Sequence, residues 1–284
     1  MMMIGCRHMK INKQENLQRG ILGFARSYSL FGIKFFWLGV FLGILRERRC
    51  AEVIHSICCE FLFQLRPVRF PESPTKQLQV NCVFLKFETP NGNFLSRKEC
   101  VIRCGQISIA CEYGQPGSRI LVTDGNHVRI FAPYADDPLV WHIHAICHVA
   151  DDRYIVTTGD SRKYADLMTI NMDGCRIVRR LYHRLGGFTA LVNINGHIWA
   201  GSDLSERVNY IRNITTSKTY FLPERAFGAY VVNIVQEDGK LSIVTKKLNC
   251  DSGYVFTFDL AMQHFTAGNK IIINEKVVNA AIHD

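Results

Sequence analysis

Two histidines flank one isoleucine in the segment Trp141-His142-Ile143-His144-Ala145. Alternate side chains of an extended chain share a face, so His142 and His144 point the same way. That spacing suits two ligands to a divalent metal, or two donors to an anion. A packed structural pair would use the same residues, and His148, on the same side, reads as core. Carboxylates close three β-rich runs: Glu112 in ISIACEYG, Asp160 in YIVTTGD and Asp203 in HIWAGSD. Lys246 closes a fourth, KLSIVTK, and Asp160, Asp203 and Lys246 stand 43 residues apart. Two carboxylates in different environments can divide acid work from nucleophile or base work. Asp160 and Asp203, with Glu112 as the alternate, are therefore the candidate catalytic residues. Aspartates at strand ends also cap turns, which is the competing reading of Asp160 and Asp203. Arg162 and Arg207 lie in the loops after those aspartates, beside Lys163 and Glu206. With Lys246, His142 and His144 they are candidate ligand-binding groups, suited to a sugar acid or similar anion. Ordinary surface ion pairs would employ the same side chains.

What positions these residues is an internal repeat. The runs before the four strand ends are ECVIRCG (99–105), IHAICHV (143–149), FTALVNI (188–194) and YVVNIVQ (230–236). After the ends come HVRIFAP (127–133), LMTINMD (167–173), VNYIRNI (208–214) and YVFTFDL (254–260). A weaker fourth set is PLVWH (138–142), RIVRRLY (176–182), KTYFLP (218–223) and QHFTAG (263–268). Turn pairs Asp151-Asp152, Asn195-Gly196 and Asp238-Gly239 separate first runs from second. Four short strands per 40–48 residues is the period of a propeller blade. The sequence thus predicts an all-β fold, a β-propeller of about five four-stranded blades, or six, with clear blades over 99–270. QVNCVFLKFE (79–88) would supply a degenerate blade, and KIIINEKVVNAAI (270–282) would pair with an early one to close the ring. In such a ring, strand-two ends and blade-to-blade crossings share one axial face. Glu112, His142, His144, Asp160, Asp203 and Lys246 would then line a common funnel.

The chain divides into an N-terminal extension, 1–50, and the propeller, 51–284. Nine basic residues against Glu15 and Glu47 give the extension a net charge of +7, out of +9 for all 284 residues. The remainder is nearly neutral, which argues against a nucleic-acid surface there. Within the extension, residues 28–45 are almost wholly apolar and predict a helix. It has three readings: a membrane-surface or anchoring helix, a helix packed on the main domain, or an extension upstream of the fold. A hydrophobic content of 48% with 21% charged residues excludes a disordered chain. Eleven cysteines without a C-x-x-C pair read as small buried groups in a reducing, cytoplasmic compartment, with membrane association as the alternative. No spacing of paired ligands suggests a structural zinc. Phosphate-loop, dinucleotide, nucleophile-elbow and H-E-x-x-H motifs are absent. Asn213-Ile214-Thr215 is a formal glycosylation sequon.

The order EYG, WHIHA, VTTGD, N-x-D-G and WAGSD resembles bacterial proteins of the sialidase-like propeller superfamily with BNR, or Asp-box, repeats. The resemblance covers about residues 99–260. The nearest match to the box S-x-D-x-G-x-x-W is Asn171, Asp173 and Gly174, with no Trp after it. The resemblance implies the propeller and, if the protein is an enzyme, a sialidase-like glycosidase. That superfamily pairs a Tyr with a Glu as nucleophile; Glu112 and Tyr113 are adjacent and would point to opposite sides of a strand. The expected function is binding of a carbohydrate-like or acidic small ligand on the axial face, with hydrolysis undecided. A divalent metal held by His142 and His144 is the one cofactor the residues suggest. The alternative is a non-catalytic propeller scaffold for a protein partner, tethered at a membrane through residues 28–45.

Overall fold

The computed structural model describes residues 78–89, 92–159, 162–183, 187–203, 209–248 and 250–280. The expected helical extension, with the apolar run 28–45, lies outside the described residues, as do Asp160 and Arg207.

The described chain opens with a hairpin, β1 (Leu78–Thr89) and β2 (Gly92–Arg97). A first four-stranded sheet follows: β3 (Val101–Cys104), β4 (Ile107–Cys111), β5 (Ile120–Thr123) and β6 (Val128–Phe131). The second holds β7 (Ile143–Ala150), β8 (Arg153–Thr158), β9 (Tyr164–Ile170) and β10 (Cys175–His183). The third holds β11 (Phe188–Ile194), β12 (His197–Ser202), β13 (Tyr210–Asn213) and β14 (Lys218–Phe221). β15 (Ala229–Glu237), β16 (Lys240–Lys247), β17 (Ser252–Asp259) and β18 (His264–Asn279) make the fourth meander. Every step within these four is antiparallel between consecutive strands. Among the described residues, helix is limited to the 3₁₀ turns Lys98–Cys100 and Glu224–Ala226.

β18 pairs on both of its edges. Its first half pairs antiparallel with β17, and from Ile271 to Asn279 it pairs parallel with β1. The fourth sheet is therefore six-stranded, in the order β15-β16-β17-β18-β1-β2. This is the expected pairing of 270–282 with an early strand, and 79–88 is the strand it meets. The sheet set is compatible with a propeller, although among the described residues no sheet closes on itself, and the fifth unit is the β1–β2 hairpin beside β18.

The inner strands of the sheets are largely buried on both faces, which explains why they alternate so weakly. Ile109, Ile120 and Val122 of the first sheet meet Ile143, Tyr154 and Met168 of the second. Cys147 and Ile155 of the second meet Phe188, Ile198 and Tyr210 of the third. Trp199 and Ile211 of the third meet Val231, Ile243, Phe256 and Phe258 of the fourth. Phe87 and Phe94 of the hairpin cover Ala110 and Leu121 of the first. The first strands are also in contact in order, β3 with β7, β7 with β11 and β11 with β15.

One unit departs from the expected runs. Its third strand is Ile120–Thr123 and its fourth is Val128–Phe131, so 127–133 moves outward by one place. Residues 138–142 form no sheet strand; His142 makes one isolated bridge, to Tyr113. The four residues of β5 are all buried, so no alternation marked them.

The turns repeat as the strands do. Asp151, Asn195 and Asp238 open the first hairpin of their sheets at φ 50°, 50° and 46°, a left-handed conformation that Asn and Asp tolerate. A second series joins strand three to strand four. There Asp124, Asn171, Asn213 and Asp259 each accept backbone N–H bonds two or three residues on. The degenerate Asp-box match at Asn171 is one member: its side-chain oxygen takes Asp173 N at 3.0 Å and Gly174 N at 2.9 Å.

Candidate functional site

The first strands of the second, third and fourth sheets each carry a bulge near their start. The ladder skips between Ile143 and Ala145, between Phe188 and Ala190, and between Val231 and Asn233. The extra residues are His144, Thr189 and Val232. A bulged residue leaves the ladder, so its carbonyl is available to other donors. The His144 carbonyl accepts from Cys100 Sγ at 3.0 Å. The Val232 and Thr189 carbonyls accept from Arg97 Nη2 at 2.7 Å and Nη1 at 3.4 Å. Arg97 ends β2, is 8% exposed, and has Glu99 at 3.6 Å from its Nε. One buried guanidinium thus ties the hairpin to the first strands of two sheets.

The same bulge aims the His144 side chain. Its Nδ1 lies 3.8 Å from Asp203 Oδ2, at the end of β12. Lys163 Nζ reaches that oxygen at 2.7 Å and the Asp203 carbonyl at 3.1 Å. Two glycines make the fit possible. A Cβ on Gly159 would fall 1.8 Å from His144 Cε1, and one on Gly187 would fall 2.8 Å from Lys163 Cβ. Tyr113 stands over His142, with ring centroids 4.1 Å apart and planes 31° apart. The His142 and His144 rings are 5.8 Å apart at 25°, so three rings lie nearly parallel. Tyr113 and His142 are half-buried, while His144 is buried. Phe84 of β1 flanks Tyr113 at 5.5 Å.

Tyr230 lies close enough to Asp203 to feel its charge, and it stands opposite Lys246. The two are cross-strand partners in β15 and β16, and Lys246 forms an ion pair with Glu275 of β18. Burial pushes the Tyr230 hydroxyl up to about 12, Arg97 opposes that, and the Asp203 and Glu275 carboxylates add to it. Burial likewise raises Cys82 of β1, against a smaller opposing effect of Arg97.

Of the residues singled out in the sequence, His142, His144 and Asp203 come together, and Lys246 pairs with Glu275. The Asp203 carboxylate faces another sheet's lysine, and the loop 204–208 that follows it lies outside the described residues. Glu112 lies elsewhere. It is 1% exposed and its carboxylate is taken by Arg119, with Nε at 2.8 Å, Nη2 at 2.5 Å and the backbone N at 3.1 Å. Tyr113, pointing oppositely, occupies the site in its stead. Arg162 turns to Asp137, 3.7 Å away, which also accepts from the Tyr164 hydroxyl at 3.0 Å. Asp160 and Arg207 fall outside the described residues, so an Asp160–Asp203 pair has no measured separation. Among the described residues no three His, Cys, Asp or Glu side chains are grouped to hold a metal ion. Asn213 of the sequon is buried, and its side-chain oxygen accepts from Thr216 N at 3.0 Å.

Arg97, Tyr113, Tyr230 and Gly159 were not visible as site residues from sequence. Gly159 precedes Asp160 in TTGD and carried a signal, since a glycine at a strand end can admit a neighbour's side chain. Bulges leave no mark of residue type, so nothing pointed to Arg97.

No family model matches the chain, and no curated protein matches it. Among solved structures it is similar to PorZ, a surface component of the type-IX secretion system of Porphyromonas gingivalis. The identity is 12%, over 56% of this chain and 24% of that one, with a TM-score of 0.42. An auxiliary nutrient binding protein from Bacteroides thetaiotaomicron matches at 14% identity over 58% and 38%, with a TM-score of 0.40. Apo AztD from Citrobacter koseri matches at 11% over 64% and 48%, with a TM-score of 0.36. The chain therefore spans less than half of each, and likenesses of this strength assign it neither fold nor function. Among the described residues no helix is long and apolar enough to cross a membrane.

Proposed function

We propose that the described region is a β-propeller of about five blades that binds a carbohydrate-like or acidic small ligand where His142, His144 and Asp203 meet. Support for the ring comes from four consecutive meanders, contacts between successive first strands, and the pairing of β18 with β1. Support for the site comes from one observation above all. Side chains from the ends of strands in three sheets converge there: Tyr113 after β4 of the first, His142 and His144 at the start of β7 and Lys163 before β9 of the second, and Asp203 after β12 of the third. Aromatic faces beside a carboxylate–ammonium pair suit a ligand with both apolar faces and hydroxyl or acid groups.

The proposal stops at binding. Glycoside hydrolysis would need a second carboxylate at a defined separation from Asp203. Among the described residues Glu112 is committed to Arg119 and Glu275 to Lys246, and Asp160, the expected partner of Asp203, lies outside them. The test is calorimetric titration of the full chain with neutral and acidic oligosaccharides, repeated on Asp203→Asn and His142→Ala. Binding lost in both variants supports the site; binding equal to wild type in both removes it.

A second reading is a scaffold for a protein partner. It is favoured by β10, an outer strand whose Arg176, Ile177, Val178 and Arg179 are all exposed. Retained partner capture after His142→Ala and loss after Val178→Asp would support it over the ligand site.

A further inference from the structure

We infer that the outer edge of β10 takes up an extended segment of a partner protein, with side chains alternating between acidic and apolar, as a fifth strand of the second sheet. The inference rests on the second reading above, that of a scaffold, and names the chemistry of its partner. Among the described residues β10 is the outermost strand of its sheet. It runs for nine residues, where the outer strands β6 and β14 run for four each. Arg176, Ile177, Val178, Arg179 and Arg180 are all exposed. Such an edge offers main-chain N–H and C=O groups to an added strand.

The two faces of this edge differ, and a bulge makes them differ. Residues directly opposite each other in an antiparallel pair lie on one face. Arg176 stands opposite Thr169 and Arg179 opposite Leu167, while the ladder passes over Val178 between them. Leu167 and Thr169 alternate along β9, so they share a face and bring both arginines onto it. In a regular strand residues so spaced would point to opposite faces. The same register puts Ile177, opposite Met168, on the other face with Arg180, opposite Asp166. There the arginine turns inward. It forks onto the buried Asp166 carboxylate at 2.8 and 3.0 Å, and lies 3.3 Å above the Tyr164 ring. That face presents Ile177 to an added strand, and the opposite face presents two guanidinium groups.

An added strand meets the two faces with alternate side chains. Acidic residues at every second position stand beside Arg176 and Arg179, and the apolar residues between them stand beside Ile177. Charges and bulges on a rim strand also discourage pairing, and short edges do so too. β6 and β14 follow that pattern. β10 is long and carries an apolar pair, Ile177 at 36% and Val178 at 51% exposed, which a guarded edge would omit.

The experiment adds the full chain to labelled peptides and follows fluorescence anisotropy. One peptide alternates Glu with Val, a second Ser with Val, and a third Lys with Val. A fourth scrambles the Glu and Val residues around a central Pro, which keeps the charge and blocks the strand. The expected result is binding to the Glu–Val peptide, with Kd rising about 3-fold or more between about 50 mM and about 500 mM salt. Replacing both arginines, Arg176→Glu with Arg179→Glu, raises that Kd by about 10-fold or more and confers binding of the Lys–Val peptide. Circular dichroism and a melting curve check that the variant is folded. In hydrogen exchange the outward amides of β10 exchange freely in the unbound chain and are protected once the peptide is bound. Equal binding of the scrambled peptide, or unchanged binding in the double variant, overturns the inference. So does protection of the outward amides in the unbound chain, since the edge would then be occupied. Binding of the Ser–Val peptide alone, lost in Val178→Asp, overturns the acidic partner and leaves the scaffold reading standing. Binding of none of the peptides overturns the inference, and the scaffold reading falls with it when Val178→Asp also leaves partner capture unchanged.

Discussion

The imidazole of His144 lies flush against Gly159, so closely that a Cβ there would sit 1.8 Å from His144 Cε1 and 2.1 Å from Nε2. The contact joins the first strand of the second sheet to the end of its second strand. Gly159→Ala is therefore expected to push the ring off Asp203. The backbone N–H of Gly159, bonded to the His142 carbonyl at 3.1 Å, leaves little room for the chain to yield instead. Overpacking of this kind destabilises by about 1–3 kcal/mol. Ligand affinity should fall with stability, and the His144 ring resonances in an NMR spectrum should shift. Unchanged His144 resonances in the variant would show that the ring does not depend on this glycine.

Glu112 gives the opposite pattern. Its carboxylate is buried and bound to Arg119, while Arg119 is partly exposed and can regain water. Glu112→Gln should lower stability by about 1–3 kcal/mol through the weakened buried hydrogen bonds. Ligand binding should remain within about 2-fold of wild type. A binding loss larger than the stability loss accounts for would return Glu112 to the site.

Arg97→Met removes the donors to the Thr189 and Val232 carbonyls while keeping much of the side-chain volume. Two carbonyls then lose their partners inside the protein, at about 1–3 kcal/mol each. Chemical denaturation should show the loss, and Arg97→Lys should recover part of it. A Met variant as stable as wild type would mean that packing, and not hydrogen bonding, is what Arg97 supplies.

Stability should fall on the alkaline side. Burial pushes the Cys100 thiol up to about 12 from 9.0, and Tyr230 up to about 12 from 10.0. Both groups are held protonated in the native state beyond the pH at which the unfolded chain releases its proton. Their contribution is complete below pH 9 for the thiol and below 10 for the phenol. It is lost as pH rises toward 12. For the fully buried Cys100 the slope is about 1.4 kcal/mol per pH unit between those limits. Denaturation midpoints at pH 8, 9 and 10 measure it, and Cys100→Ala should flatten the curve above pH 9. An unaltered slope in that variant would assign the alkaline loss to other groups.

The meanders were legible because their period survives in residue type. Asn195-Gly196 and Asp238-Gly239 mark hairpins that need positive φ, and each lies between runs of β-branched residues. The turn series Asp124, Asn171, Asn213 and Asp259 was equally open to reading, but its members split between Asp and Asn and between different neighbours. β5 was missed since both faces of Ile120–Thr123 are covered. At the site, the 43-residue spacing located Asp203 and Lys246, yet it could not tell a carboxylate facing a neighbour's ammonium from one facing its own loop. It placed Glu112 in the same series as Asp203, although Arg119, seven residues on, claims it. Spacing gives the position of a side chain; the choice of partner depends on what the adjacent sheet presents.

The pairing of β18 with both β17 and β1 bears on the order in which the chain can fold. Each meander is built from neighbours in sequence and can form while synthesis proceeds. The β1–β18 ladder is different in kind: Leu78 pairs with Ile271, 193 residues later. Closing so long a loop carries a large entropic penalty until the intervening sheets shorten it. Until β18 leaves the ribosome, β1 has β2 on one side and an open edge on the other. The first strand to emerge in this region is thus the last to be completed, and for that interval it is the surface most exposed to wrong pairing.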